Sequence, residues 1–169
     1  MKSLMIMYAQ HGITPLFYEN AASPGRRRHA AIQVVPLPND IYPTAKGHFR
    51  QELLVADDQF SQHAPIIDTL AKVPTFGKMA FRKMMIKEMP YFHVWFGIDG
   101  GFGHIIENSG KWGDGERWPR EVIGAGILGL DPTVWRKMGK WEGGKDPRED
   151  IFKKWWLPFD WTRMLTDAE

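Results

Sequence analysis

The 169-residue chain contains no cysteine. Disulfides, thiolate metal sites and cysteine nucleophiles are therefore excluded within it. No apolar run approaches the ~18 residues that a membrane-crossing helix needs. Net charge is also scarce: Lys and Arg number 22 and Asp and Glu 20, leaving +2 with histidine neutral. A balance so close to zero exerts little long-range pull on polyanions, so any nucleic-acid contact must come from local patches. No internal repeat or low-complexity tract is evident. HEXXH, EF-hand, GxSxG and GxxxxGK[ST] patterns are missing. The N-terminal MKSLMIMYAQHG has one Lys, a broken apolar run and no small-residue cleavage site, so it does not read as a signal peptide.

What is present is globular material. Hydrophobic residues make up 43% and charged residues 25%, a composition that can build a core without staples at this length. The spacing of Leu4, Met5 and Tyr8 predicts a helix over 2–11, with Gly12 as its left-handed stop. Pro15 to Tyr18 reads as a short strand, 20–25 as a turn and Arg28 to Val35 as a strand ending at Pro36 and Pro38. The proline-rich stretch 36–46 is the expected internal boundary. A helix over 45–56 should carry Phe49, Leu53 and Val55 inward, and a second helical piece is expected at Ile66 to Ala71. Residues 76–88 are ambiguous. Tyr91 to Phe96 and Phe102 to Glu107 form a predicted hairpin around a glycine-rich turn. Pro119 opens a helix that Gly129 stops. Asp131-Pro132 and Asp146-Pro147 each read as a cap followed by a first helical residue. Pro158 closes the last of these, and Asp160 can cap a final turn. Phe152, Trp155, Trp156 and Phe159 recur as one packing face.

The chemically suggestive stretch is His29-Ala30-Ala31-Ile32-Gln33-Val34-Val35. On a strand, residues 29, 31, 33 and 35 share a face, with His29 and Gln33 about 13 Å apart and Ala31 between them. The plainer reading of His29 is a polar strand residue bonded to its neighbours.

PLFYEN followed by a turn and RRHAAIQVVPLP resembles the second half of a histidine-triad unit. Downstream, PYFHVWFGIDGGFGHIIEN, REVIGAGILGLDP, WRK and KKWWLPFDWT look like the second C-terminal domain of the CwfJ family of spliceosome-associated proteins. The resemblance implies an α+β fold. A partial histidine-triad-like antiparallel sheet with its helix would occupy 1–45, and a second α+β unit with a hairpin and C-terminal helices 46–169. In the triad superfamily the middle histidine attacks phosphorus. Here the triad positions read His29, Ala31 and Gln33. A methyl group at 31 can neither form a phosphoramidate nor take a proton, so the resemblance implies a pseudoenzyme with no catalytic residue. In a related variant the first histidine ligates zinc together with residues of earlier strands. The chain begins at the helix expected to follow those strands, so it reads as a fragment or a truncated gene product. His29 would hold zinc only if residues outside this chain completed the site, because a structural zinc needs four ligands.

Two cationic clusters are candidates for RNA or phosphate contact. Arg26, Arg27 and Arg28 enter the triad strand, and Lys78, Arg82, Lys83 and Lys87 precede the hairpin. His104 joins them as a candidate, with a buried histidine that fixes the hairpin as its plainer reading. Its facing partner depends on register. If Phe96 opposes Phe102, Val94 opposes His104 on an apolar face; a one-residue slip makes His93 its partner instead. GIDGGFG reads as turn chemistry.

The resemblance implies a non-catalytic RNA- and protein-binding module of a splicing factor, nuclear and acting in late, intron-lariat spliceosomes. Its expected partners are spliceosomal proteins and RNA, with the lariat-debranching enzyme among the candidates. One alternative is an active nucleotide hydrolase or RNA-processing nuclease using His93 or His104. The other is a purely structural protein-interaction module that presents its Trp-rich C-terminal region. If the earlier strands are missing, the first sheet keeps an open edge through which copies could associate.

Overall fold

The computed structural model describes residues 1–22, 31–56, 61–85, 88–107, 112, 117–136 and 146–163. Its centre is an open five-stranded antiparallel sheet, and helices complete an α+β fold. The strands are β1 (Ile13–Ala21), β2 (Ile32–Pro38), β3 (Ile67–Asp68), β4 (Tyr91–Trp95) and β5 (Gly101–Ile105), in the spatial order β2-β1-β4-β5-β3. β1 therefore lies between β2 and β4, and strands from both sides of the proline-rich stretch share one sheet. The side of β1 away from β2 is filled by β4, so the open edge on this flank belongs to β2.

β2 runs through Pro36 and Pro38, where the sequence predicts its end. An antiparallel ladder asks for N–H groups only at alternate residues on an edge strand. Pro15 of β1 faces Pro36, so two missing donors fall on the same rung.

Register sorts the side chains onto two faces. One carries Leu16 and Tyr18 of β1, Val35 and Leu37 of β2, Phe92 and Val94 of β4, and Phe102 of β5, all members of one apolar core. Helix α2 (Tyr42–Leu54) covers this face. Its Ala45, Phe49 and Leu53 recur every four residues and are fully buried. The Phe49 ring lies 5.8 Å from Phe92 and 6.1 Å from Trp118; truncating it to Ala would cost about 3–5 kcal/mol. Val55, expected inside, stays 65% exposed because it lies past the helix end.

Against α2 packs a π-helical segment, Val122–Ile127, continuing α5 (Arg117–Glu121). Gly129, at φ 60°, ends it as its position predicts, and Gly12, at φ 69°, does the same behind α1 (Lys2–Ala9). Gly124 serves close approach: a Cβ there would meet Trp135 Cβ at 2.5 Å, so α6 (Pro132–Trp135) sits directly on it. Asp131 and Asp146 accept from the N–H groups of Thr133 and Arg148 and cap α6 and α7 (Pro147–Trp156). A 3-10 turn, Leu157–Phe159, follows α7, and Asp160 accepts from the Thr162 N–H beyond it.

Two further expectations fail. Ile66 to Ala71 is no helix: it forms the short edge strand β3 and a turn in which Asp68 accepts from the Ala71 N–H. The aromatic face of α7 is not core. Trp155 stacks on His11 at 3.8 Å, but Phe152 is 39% exposed.

Candidate nucleic-acid interface

The second sheet face carries His93, and its centre is a buried polar knot. Thr69 Oγ1 donates to the Gly101 carbonyl at 3.0 Å and accepts from the Gly101 N–H at 2.9 Å. It also lies 2.8 Å from His93 Nε2. With the hydroxyl hydrogen directed to Gly101, the network puts the imidazole proton on Nε2, which donates to Thr69. Nδ1 is then a bare lone pair, buried without a hydrogen-bond partner. Burial drives the His93 pKa down to about 3, so the ring is neutral at physiological pH. Phe81 meets it edge-on at 4.7 Å, and Trp95 lies 4.2 Å away. Tyr91, on the same face, is pushed up to about 12 by burial and by the neighbouring Glu19 carboxylate, with which it is hydrogen-bonded.

Phe81 belongs to α4 (Ala80–Met84), which follows α3 (Val73–Phe76) and a 3-10 turn, Gly77–Met79. Gly77, at φ 54°, supplies the bend between them. Thr69 below and Phe81 above thus seat the stretch 69–85 on the sheet. Its other side is open. Lys72, Lys78, Arg82 and Lys83 are exposed, as are Phe76 and Met79. Residues 69–87 contain five cations and no Asp or Glu. None of Lys72, Lys78, Arg82 and Lys83 makes an ion pair among the described residues. The contrast is α7, where Arg148 pairs with Asp146 and Lys153 with Glu149. A cationic surface without counter-charge is suited to an external polyanion.

Lys78, Arg82 and Lys83 are all exposed on this segment. Lys87, Arg26, Arg27, Arg28 and His29 lie outside the described residues. Lys72 and Phe76 lie exposed on the same segment without having been expected there; the acid-free window could have pointed to Lys72, whereas the exposure of Phe76 is visible only in the structure. At the triad positions, Ala31 is exposed, and Gln33 Oε1 accepts from the Tyr18 hydroxyl at 2.7 Å. The face they share runs on into Val35 and Leu37 of the core.

His104 stands elsewhere. The register places it opposite Phe92, two residues from the first expected pairing and one from the second. The face is nonetheless the apolar one, since a two-residue shift preserves parity. His104 is 1% exposed, stacks on Trp112 at 5.3 Å and donates from Nδ1 to the Pro65 carbonyl at 2.7 Å. It lies on the opposite sheet face from His93 and from α4. The glycine-rich stretch also differs from expectation. Gly101 and Gly103 are strand residues, and neither they nor Gly100 has positive φ. They permit close approach: a Cβ on Gly101 would lie 1.9 Å from the Val94 carbonyl oxygen.

No three His, Asp or Glu side chains converge among the described residues, and Gln33 Oε1 is engaged by Tyr18.

An open antiparallel sheet with α2 on one face and α4 on the other defines a domain of α+β class. The family description "Protein similar to CwfJ C-terminus 2" matches residues 59–162, and the chain belongs to that family. It is 47% identical, over 99% of its length, to the pre-mRNA-splicing factor cwf19 of Schizosaccharomyces pombe. It is 32% identical over 96% of its length to the human CWF19-like protein 2, and 28% over 97% to the Caenorhabditis elegans homologue. The chain spans 26% of the fission-yeast protein and 17% of the human one.

Proposed function

We propose that the chain is a non-catalytic RNA- and protein-binding module of a nuclear pre-mRNA splicing factor, acting in late, intron-lariat spliceosomes. The carrying observation is the exposed, acid-free segment whose four described cations have no ion-pair partner among the described residues. The relatives' splicing-factor names support the cellular setting. Ala31 supports the non-catalytic part, because its methyl offers neither nucleophile nor base. His93 and His104 point to opposite sheet faces, so they do not converge on one phosphoryl group as an acid–base pair. Partners would be spliceosomal RNA and proteins, the lariat-debranching enzyme among them.

Exposed Ile151, Phe152, Leu157 and Trp161 favour a protein contact through α7 and the turn after it. At the sheet edge, the Ile32 to Val34 end of β2, ahead of its prolines, is where another strand would add, from a second copy or from another chain.

The test is RNA affinity measured by fluorescence anisotropy against salt, alongside an assay for hydrolysis of nucleotide conjugates and RNA. Binding that weakens steeply with salt, without turnover, is expected. No affinity at low salt, or turnover lost in His93→Ala or His104→Ala, overturns the reading.

A further inference from the structure

The basic segment presents two chemistries side by side. Lys72, Lys78, Arg82 and Lys83 are exposed and make no ion pair among the described residues. Between them, Phe76 at the end of α3 is 39% exposed, and Met79 46%. A purely solvated cationic face gains nothing from an exposed ring, because apolar surface in water is a cost. An acidic peptide would use the charges and leave the ring idle. Unpaired nucleobases use both: phosphates meet the cations, and a base lies flat on the aromatic. A duplex is a poorer fit, since its bases already stack on one another and offer no free face.

Resting on the RNA-binding reading above, we infer that Phe76 is the base-stacking platform of a single-stranded RNA site, with Lys72, Lys78, Arg82 and Lys83 taking the phosphates on either side. The platform is held from beneath. The fold at 69–70 is pinned by Thr69 to Gly101 and His93, and α4 by Phe81 on the sheet. The bend at Gly77 turns the chain between Phe76 and the later cations. The site is thus carried on the sheet and does not need to fold on binding, which reduces the ordering cost of capture.

The two contributions differ in salt dependence, and that separates them. Cations release counterions, so each lost phosphate contact lowers the slope of log affinity against log salt by about 0.7 for a single strand. Stacking is not ionic and leaves the slope alone. The experiment measures binding of labelled oligouridylate and of a matched RNA duplex to the full chain across a salt series. The proteins are the wild type, Phe76→Ala, Phe76→Trp and Lys78→Gln/Arg82→Gln. Phe76→Ala should weaken single-strand binding about fivefold or more with the slope unchanged, and Phe76→Trp should preserve it. The double variant should lower the slope by about 1.4. Phe76 is at the surface, so circular dichroism should show an unaltered fold. If the wild type binds RNA and Phe76→Ala binds equally well, or the duplex binds better than the single strand, this inference fails while the RNA reading stands. If the wild type binds no RNA at low salt but captures an acidic peptide, both fail.

Discussion

The hydroxyl oxygen of Thr69 stands 2.8 Å from Nε2 of His93, joining the start of the cationic stretch to the middle strand β4. The bond is fully buried: both residues have no exposed surface. It makes a neutral imidazole part of the scaffold beneath the cationic segment.

Stability should consequently fall on mild acidification. In the folded chain His93 takes a proton only near about 3, whereas in the unfolded chain it does so near the ordinary value of 6.5. Between these values the unfolded state binds more protons, so stability rises with pH and levels off above the upper limit. The slope approaches about 1.4 kcal/mol per pH unit for one full proton. Chemical denaturation between about pH 6.5 and 5, above the ordinary carboxylate range, should show a slope that steepens toward this value in the wild type. It should be reduced in His93→Gln.

The hairpin glycines should rank by what surrounds them. Gly101→Ala drives a methyl into the Val94 carbonyl, which cannot yield without breaking the ladder. It should cost about 3 kcal/mol or abolish folding. Gly103→Ala meets the Met85 sulfur at 2.4 Å, the far end of a flexible side chain, and should cost less. Gly97→Ala has nothing within 4 Å and should be close to neutral. Melting temperatures of the three variants check the order; equal values would contradict it.

Glu107 should anchor the approach to β3. Its carboxylate accepts from Ser61 Oγ, the N–H groups of Gln62 and His63, and His63 Nδ1. These bonds, led by the Gln62 N–H, hold its pKa down to about 2. Protection of the Gln62 and His63 amides in hydrogen exchange should therefore persist through pH 4.5 and disappear as acid drives protonation toward pH 2. Glu107→Gln, which carries no charge to titrate, should show weaker protection with no such step.

Punctuation was the most legible part of the sequence. Gly12, Gly129, Asp131 and Asp146 act through their own backbone or one short side chain, so local pattern suffices to place them. The hairpin's existence was legible for the same reason, but its register was not. Glycine carries no side chain to declare an inside or an outside, and residues 97–103 include four of them. The decisive fact, the Val94 carbonyl against Gly101, is a tertiary contact. β2 outran its expected end because edge strands tolerate proline at alternate positions, and edge status depends on the whole sheet. At the candidate site, the cations Lys78, Arg82 and Lys83 were legible, and the missing acids around them could have been read too. What required coordinates was their lack of partners and the exposure of Phe76. His104 lay within reach of sequence reasoning for its face, but not for Pro65, thirty-nine residues distant, whose carbonyl it holds.

The place of β1 between β2 and β4 sets a timetable for synthesis. Phe17 leaves the ribosome well ahead of Trp95, its neighbour on one side. Until that later strand emerges, β1 and β2 form at most a two-stranded ribbon with one flank bare, marginal on its own and attractive to stray chains. Closure of so wide a loop makes the nascent sheet slow to complete, which leaves the early hairpin dependent on chaperone cover for that interval.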